Sequence, residues 1–337
     1  MNGRVTADDV AKKAGVSQST VSRVLNNYPH IKKNTRDKVL MVIDELGFTR
    51  DEVARSLVEK KTRSIGLIVG DISNPFFAES AGVIIANAQK FNYDVVICNT
   101  NHDDENLDKY INNFVGKRVD GIIIASAHRH DSKIKQLHER GFPIVLYNSS
   151  IDDQKANYVV IDNIKGAKLA VNHLVELGHK SIAYIAGPFK YLSTYLRFEG
   201  YQEALLQHGL PYKQDFVYKG EFSYQKVYEY TQMLLNLENR PTAILAVSDQ
   251  MALAVMDAAA SMNLNIPGDL SVIGFDDIRM ASNQFIGLTT ISQQMEEMAS
   301  ITLEKLINLI DTDHGPSVPI QIILEPELII RKTTASI

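Results

Sequence analysis

The chain has 337 residues, 45% of them hydrophobic and 22% charged, with a net charge of −5. That length suits two or three folding units of an ordinary globular protein. No apolar run is long enough to span a bilayer, the polar opening MNGRVTADDVAKKAG lacks a secretory apolar stretch, and a single cysteine, Cys98, excludes an internal disulfide or a multi-cysteine metal site; a cytoplasmic protein with no membrane contact is expected. The charge is unevenly spread, +5 over residues 1–63 and −10 over the remainder. A basic head on an acidic body suits a chain whose one end meets phosphate.

The first 47 residues read as three short helices. Thr6 can cap a helix over Ala7–Ala14, with Asp8 and Asp9 in its first turn favouring the dipole. Gly15 supplies a turn. Ser17 can cap a second helix, Gln18–Asn26, whose apolar face is Val21, Val24 and Leu25. A third spans about Thr35–Leu46 with Val39, Leu40, Val42, Ile43 and Leu46 inward, stopped by Gly47. DEVARSLV, at 51–58, suits one more short helix, followed by Lys60, Lys61 and Arg63 as a solvated junction.

From Ser64 strands and helices alternate. SIGLIV, DVVIC, DGIIIA and PIVLY read as strands, separated by helices at Pro75–Phe91, Asn106–Lys117 and Ser132–Gly141. After Asp162 the rhythm restarts, with helices at Lys165–Leu177, Thr194–His208, Gln225–Leu237 and Asp249–Met262 and strands SIAYIA, TAILAV and LSVIGF. The fold class expected is an all-α helix-turn-helix headpiece plus an α/β core of two doubly wound parallel-sheet lobes. Such lobes bind ligands at the carboxyl ends of their strands, so a facing pair makes a cleft.

VTADDVAKKAGVSQSTVSRVLNN is the most specific signal. Two helices flank Gly15, and the second can lie in a major groove. Its exposed positions, Ser17, Gln18, Ser19, Thr20, Ser22, Arg23 and Asn26, are small polar groups and one arginine. Ser, Thr and Asn reach phosphates, whereas Gln and Arg read base edges bidentately. A bundle without nucleic acid leaves unexplained why this helix is apolar on one side and donor-rich on the other.

This segment resembles the headpiece of the lactose/galactose repressor (LacI/GalR) family of bacterial transcription regulators. The resemblance continues in order through TRDKVLMVIDELGF, VARSL, RSIGLIV, DISNPFF, KRVDGIII, IDNIKGA, HLVELGHKSIAYIAGP, RFEGY, PTAILAVSDQMAL, IPGDLSVIGFDD and LTTI. It implies a headpiece over 1–49, a hinge helix and linker over 50–62, an N-terminal lobe from 63–163 and 292–323, and a C-terminal lobe from 164–291 and 324–337. It places Gln18, Ser19 and Arg23 at base-reading positions and Thr6, Ser17, Thr20, Ser22 and Asn26 at phosphates. It puts Arg55 and Leu57 in a hinge helix that orders on operator DNA, with Leu57 wedged into the minor groove. One departure is Arg50-Asp51, where relatives often carry Pro-Asn; losing the proline frees a φ angle.

The core has no G-x-G-x-x-G, Walker A, G-x-S-x-G, H-E-x-x-H or C-x-x-C motif, so no enzyme, cofactor or metal is expected. Asp276 and Asp277 adjoin at a strand end, but strand neighbours point to opposite faces. His128, Arg129, His130 and Asp131 fit no metal-ligand spacing and read as a solvated loop. In DISNPFF, Asn74 offers amide bonds while Phe76 and Phe77 offer flat faces, one of them expected in the core. An aromatic platform with convergent polar groups suits a sugar.

By the resemblance Arg197, Phe222, Ser248, Asp249, Asp276 and Gln293 line an effector pocket from the second lobe and its crossover. Arg197 can fork onto two hydroxyls and Asp276 accept two; Asp249 can instead cap the helix behind it. Asn148 stands where relatives often have Asp, and Gln294 where they often have Pro. The reading is a homodimeric repressor of a carbohydrate-utilisation operon, bound to a palindromic double-stranded operator and switched by a small sugar or sugar phosphate. No leucine heptad follows RKTTASI, which favours a dimer over a tail-held tetramer. The alternatives are a repressor of the same family dependent on a purine or a coregulator protein, a sugar-binding transport protein, and an α/β enzyme.

Overall fold

The computed structural model describes residues 5–48, 61–312 and 318–337. The chain divides into two compact units, Met1–Thr62 and Arg63–Ile337. Arg55 and Leu57, and the departure at Arg50-Asp51, lie outside the described residues.

The head is three helices: α1 (Ala7–Ala14), α2 (Gln18–Leu25) and α3 (Lys33–Leu46). Thr6 and Asp9 form a reciprocal capping box on α1, the Asp9 amide donating to Thr6 Oγ1 and the Thr6 amide to Asp9 Oδ2. Gly15 (φ 62°) and Gly47 (φ 59°) close α1 and α3 in the left-handed region, where a β-carbon is strained. Val10, Ala11, Ala14, Val21, Val24, Val39 and Val42 make the core. Leu40, expected inward, is 48% exposed instead. The face 39, 42, 43, 46 follows the helical period, and position 40 lies a hundred-odd degrees from it.

The second unit contains two six-stranded sheets. The first runs β11-β5-β4-β3-β1-β2, wholly parallel, from β1 (Ser64–Val69), β2 (Asp94–Asn99), β3 (Gly121–Ile124), β4 (Ile144–Tyr147), β5 (Tyr158–Ile161) and β11 (Gln321–Leu324). The second runs β12-β10-β9-β8-β6-β7, from β6 (Ile182–Ile185), β7 (Val217–Tyr218), β8 (Ala243–Ala246), β9 (Ser271–Asp276), β10 (Thr289–Ser292) and β12 (Glu327–Ile329); only β12 is antiparallel. Strands β5, β7, β10, β11 and β12 have no counterpart among the predicted elements. None exceeds four residues, too short for alternation to mark them.

Helices cover the sheets: α4 (Pro75–Lys90), α5 (Asp104–Gly116), α6 (Ser132–Glu139) and α11 (Met295–Asp311) on the first, and α7 (Asn163–Glu176), α8 (Leu192–Gln207), α9 (Tyr224–Leu235) and α10 (Asp249–Ser261) on the second. Burial on both faces explains why the central strands are uninterrupted apolar runs such as GIII and AILA. The chain passes between lobes three times, after β5, after β10 and after β11. At the second passage Gln294 has φ 52°, an angle closed to the proline that relatives often place there.

Helices α7 and α8 lie close because Gly200 has no side chain: a β-carbon there would collide with the Ile164 carbonyl oxygen and sit 3.0 Å from the Ala167 Cβ. Gly200→Ala is therefore expected to destabilise the fold by about 1–3 kcal/mol through overpacking, read as a lower urea midpoint. An unchanged midpoint would mean that the two helices part freely.

Candidate functional site

In the head, Gln18, Ser19, Ser22, Arg23 and Asn26 are all exposed. Their spacing sets them on one face of α2 and its C-cap, opposite the buried Val21 and Val24. Ser17 caps the helix, its Oγ accepting from the Thr20 amide at 3.2 Å and lying 2.8 Å from Ser19 Oγ. Thr6 is likewise held in its cap, its hydroxyl donating to Asp9 at 2.7 Å. The Arg23 guanidinium lies 5.9 Å from the Tyr28 ring centre. Tyr28, 50% exposed, was missed in the sequence because it follows the helix rather than sitting on it. Arg36 steadies that loop by donating to Asn27 Oδ1 and the Tyr28 carbonyl, both at 2.9 Å.

In the larger unit the carboxyl ends of both sheets meet at a cleft. It is narrow, with a cavity volume of about 80 Å³, and opens to solvent. Asn74, Phe76, Phe77, Asn148, Arg197, Phe222, Ser248 and Asp276 all line it. In both sheets the chain order reverses beside the first strand, β1 or β6, and side chains following those strands and their neighbours point into the crevice. Asn74 also caps α4 by accepting from the Phe76 amide at 3.0 Å. Phe76 is the core member of its pair, stacked 5.9 Å from the Tyr147 ring, while Phe77 is only partly buried.

Two expected pocket residues stand behind the wall instead. Gln293 and Asp249 are fully buried and do not line the cavity. Gln293 Nε2 donates to Asp276 Oδ1 at 2.5 Å, and its Oε1 accepts from Arg197 Nη2 at 3.1 Å. Asp249 accepts from the Thr290 hydroxyl at 2.5 Å and the Ile278 amide at 2.9 Å. Nor does it cap α10: Ser248 does, accepting from the Met251 amide. Asp249 reaches strand β9 because Gly274 leaves the space that its carboxylate fills.

Arg197 is 5% exposed and spends three of its five donors on protein: Nε on Asn163 Oδ1 (2.7 Å), Nη1 on the Val247 carbonyl (2.7 Å) and Nη2 on Gln293. Its guanidinium lies 3.7 Å from the Phe275 ring centre. Two donors remain for a ligand. Burial lowers its pKa, opposed by Asp276. Burial also raises Asp276 well above the usual carboxylate range, with Asp249 adding to the effect and Arg197 opposing it. Asp276 (φ 136°) and Asp277 (φ 59°) turn the strand end so that their side chains part: Asp276 goes to Gln293, and Asp277 to Arg331 Nη2 at 2.6 Å.

On the first lobe Asn148 Oδ1 and Ser126 Oγ are buried and find no hydrogen-bond partner among the described residues. Ser126, Asp71, His102, Tyr191 and Ser193 line the cavity but were missed in the sequence. For Asp71 and Ser126 the signal was position alone, each two residues past a strand end; His102 and Tyr191 stand on loops and Ser193 in the first turn of α8, with no local signal. The loop expected to be solvated is engaged. His128 Nε2 lies 3.0 Å from Asp104 Oδ1, Arg129 Nε donates to Asp152 at 2.6 Å, and Asp131 caps α6.

Residues 6–51 match the family described as bacterial regulatory proteins, lacI family, and residues 62–329 match the one described as periplasmic binding proteins and sugar binding domain of LacI family. The chain belongs to the LacI family. It is 36% identical to Catabolite control protein A of Priestia megaterium over 322 residues, covering 94% of this chain and 96% of that one. It is 32% identical to the transcriptional repressor PurR of Actinobacillus pleuropneumoniae serotype 3, covering 98% and 99%. The structure of the Lac repressor dimer bound to operator and the anti-inducer ONPF superposes with a TM-score of 0.85 at 30% identity, covering 99% and 100%. These relatives are transcription regulators, not enzymes, and this LacI-family chain is likewise a DNA-binding transcriptional regulator. No described helix is long and apolar enough to cross a membrane.

Burial pushes the Asp249 carboxyl up to about 7. The native state then keeps a proton that the unfolded chain releases near pH 4, so this group erodes stability as the pH rises from about 4 to about 7. In Asp249→Asn the amide oxygen can accept from Ile278 and its nitrogen donate to Thr290. The variant should melt at or above the wild-type temperature at pH 8, with the difference vanishing by pH 5. A variant that melts lower at pH 8 would show that the ionised carboxylate is preferred there.

Proposed function

We propose that the chain represses a carbohydrate-utilisation operon, binding a near-palindromic operator as a homodimer and switched by a small sugar in the inter-lobe cleft. One observation carries the effector half of this reading. Two orphaned buried acceptors of the first lobe, Asn148 Oδ1 and Ser126 Oγ, share a cavity with the Arg197–Asp276 pair of the second. A ring with adjacent hydroxyls offers a donor and an acceptor at each oxygen. It can satisfy the orphans, take the spare Arg197 donors and donate to the Asp276 carboxyl. Its C–H faces suit Phe77 and Phe222. The match to a family described by its sugar-binding domain supports the same class.

For DNA, the exposed face of α2 gives Gln18, Ser19 and Arg23 to base edges. Thr6, Ser17, Thr20, Ser22 and Asn26 meet phosphates, and Arg55 and Leu57 act in the hinge. The dimer reading rests on the edge strand β2. At that sheet edge Val96 and Ile97 are exposed, apolar surface that a second copy would cover. The Lac repressor structure, described as a dimer on operator, supports it. Similarity to PurR favours a second reading, a purine corepressor, which the same experiment separates.

The test is fluorescence anisotropy with a pool of palindromic operators, with and without sugars, sugar phosphates and purines. One operator should bind tightly and one sugar should shift its affinity; a shift by purines alone would move the protein to the corepressor reading. Arg23→Ala should cost about 1–3 kcal/mol on the specific operator and far less on random duplex. Equal losses on both would take Arg23 out of base readout. Asp276→Ala should remove the sugar-induced shift, and an undiminished shift would take Asp276 out of the pocket.

A further inference from the structure

The cavity is closed along one side by a seam between the lobes that neither the motifs nor the family match assigns. His102, in the loop after β2, and Tyr191, just before α8, meet across the cleft, Nδ1 and the hydroxyl sharing a hydrogen bond of 3.0 Å. Both rings line the cavity. Both also pack on Phe222, at 5.2 and 5.8 Å between ring centres, and His128 adds an edge contact to Tyr191 at 5.1 Å. Tyr191 is only 6% exposed.

On the solvent side the seam is stitched further. Lys190 Nζ donates to the His102 carbonyl at 3.2 Å and to Asp104 Oδ1 at 3.0 Å, and the Arg129 amide donates to the Lys190 carbonyl at 2.9 Å. The rings sit on glycines. A β-carbon at Gly70 would lie 2.5 Å from His102 Cε1, and one at Gly187 would lie 2.7 Å from the Phe222 ring. Real β-carbons never come that close, so the backbone on each side is cut away to seat these rings.

We propose that His102 and Tyr191 set the specificity of the cleft by size, admitting a single sugar ring and excluding disaccharides. This rests on the sugar reading above and adds an upper limit to it. The space open to water-sized centres, about 80 Å³, is several waters' worth, which suits one compact ring. On this side of the cavity, a second ring needs the room that the histidine and tyrosine occupy.

The experiment is isothermal titration of the full chain with D-glucose, D-galactose, cellobiose, lactose and maltose, on wild type, Tyr191→Ala and His102→Ala. Circular dichroism reports that each variant folds, and His102→Ala serves should Tyr191→Ala not fold. Wild type should bind a monosaccharide and no disaccharide, and a folded variant should gain at least about tenfold in disaccharide affinity. Wild-type binding of a disaccharide as tight as that of its component ring would overturn the size limit while leaving the sugar reading intact. So would folded variants that still exclude disaccharides, since the exclusion then lies elsewhere. Binding of no sugar by wild type or variants would overturn the sugar reading and the size limit with it.

Discussion

The buried guanidinium of Arg197 is the constraint around which the core is arranged. An isolated charge inside a protein is costly, and it is tolerated only where partners satisfy it. Here they come from separate places: Asn163 at the first passage between lobes, Gln293 at the second, the Val247 carbonyl at a strand end and the Phe275 ring beneath. Asp276, joined through Gln293, opposes the fall in the Arg197 pKa that burial causes. One side chain thus ties two of the three interlobe passages to the floor of the cleft. A ligand that bonds Arg197 or Asp276 touches, through one intervening residue, the segments about which the lobes would turn.

The two lobes repeat one strand order, with the first strand of each flanked by its second and third. That order puts a crevice at the carboxyl end of each sheet, and the cleft is the two crevices facing each other. The floor contributed by the second lobe is ionic and prebuilt. The side contributed by the first is incomplete, with Asn148 and Ser126 left holding buried polar atoms without partners among the described residues. An unpaired buried polar atom costs roughly 1–3 kcal/mol, so the first lobe is the side with most to gain from a ligand bearing hydroxyls.

Much of this was legible in the sequence. The three headpiece helices, the N-caps of the first two and the central strands were marked by capping residues, glycine stops and apolar runs, although the third helix starts two residues before the expected Thr35, without a side-chain cap. The short strands β5 and β10 to β12 were not: β10 to β12 are short and mixed in polarity, and β11 and β12 find their partners far along the chain. Tyr158–Ile161, for instance, pairs with Gln321–Leu324. Among site residues the resemblance located those that carry charge or sit in long motifs. It did not separate cavity from second layer. Nothing local to Asp249 shows that Gly274 opens a space for it, nor that Ser248 takes the capping role. His102 and Tyr191 were invisible for a like reason: each is an ordinary loop residue until the fold sets the lobes together.

The magnitudes bear on how such a molecule switches. Outside the ring cluster of His102, His128, Tyr191 and Phe222, contacts spanning the cleft rim are exposed, such as Lys190 with Asp104 and the Arg279 amide with Glu79. Exposed pairs of this kind are worth about 0–1 kcal/mol each. Moving a two-state equilibrium from 1:99 to 99:1 takes about 5.5 kcal/mol of differential binding. A neutral hydrogen bond yields roughly 0.5–1.5 kcal/mol and one to a charged group roughly 1.5–3. At mid-range values, bonds to Asn148 and Ser126 on one side give about 2 kcal/mol and bonds to Arg197 and Asp276 on the other about 4.5, so the two sides together reach that total and neither does alone. A ligand seated on one lobe alone makes about half of them in either arrangement and so shifts little. Spanning the cleft, more than tight binding, is what the geometry demands of an effector.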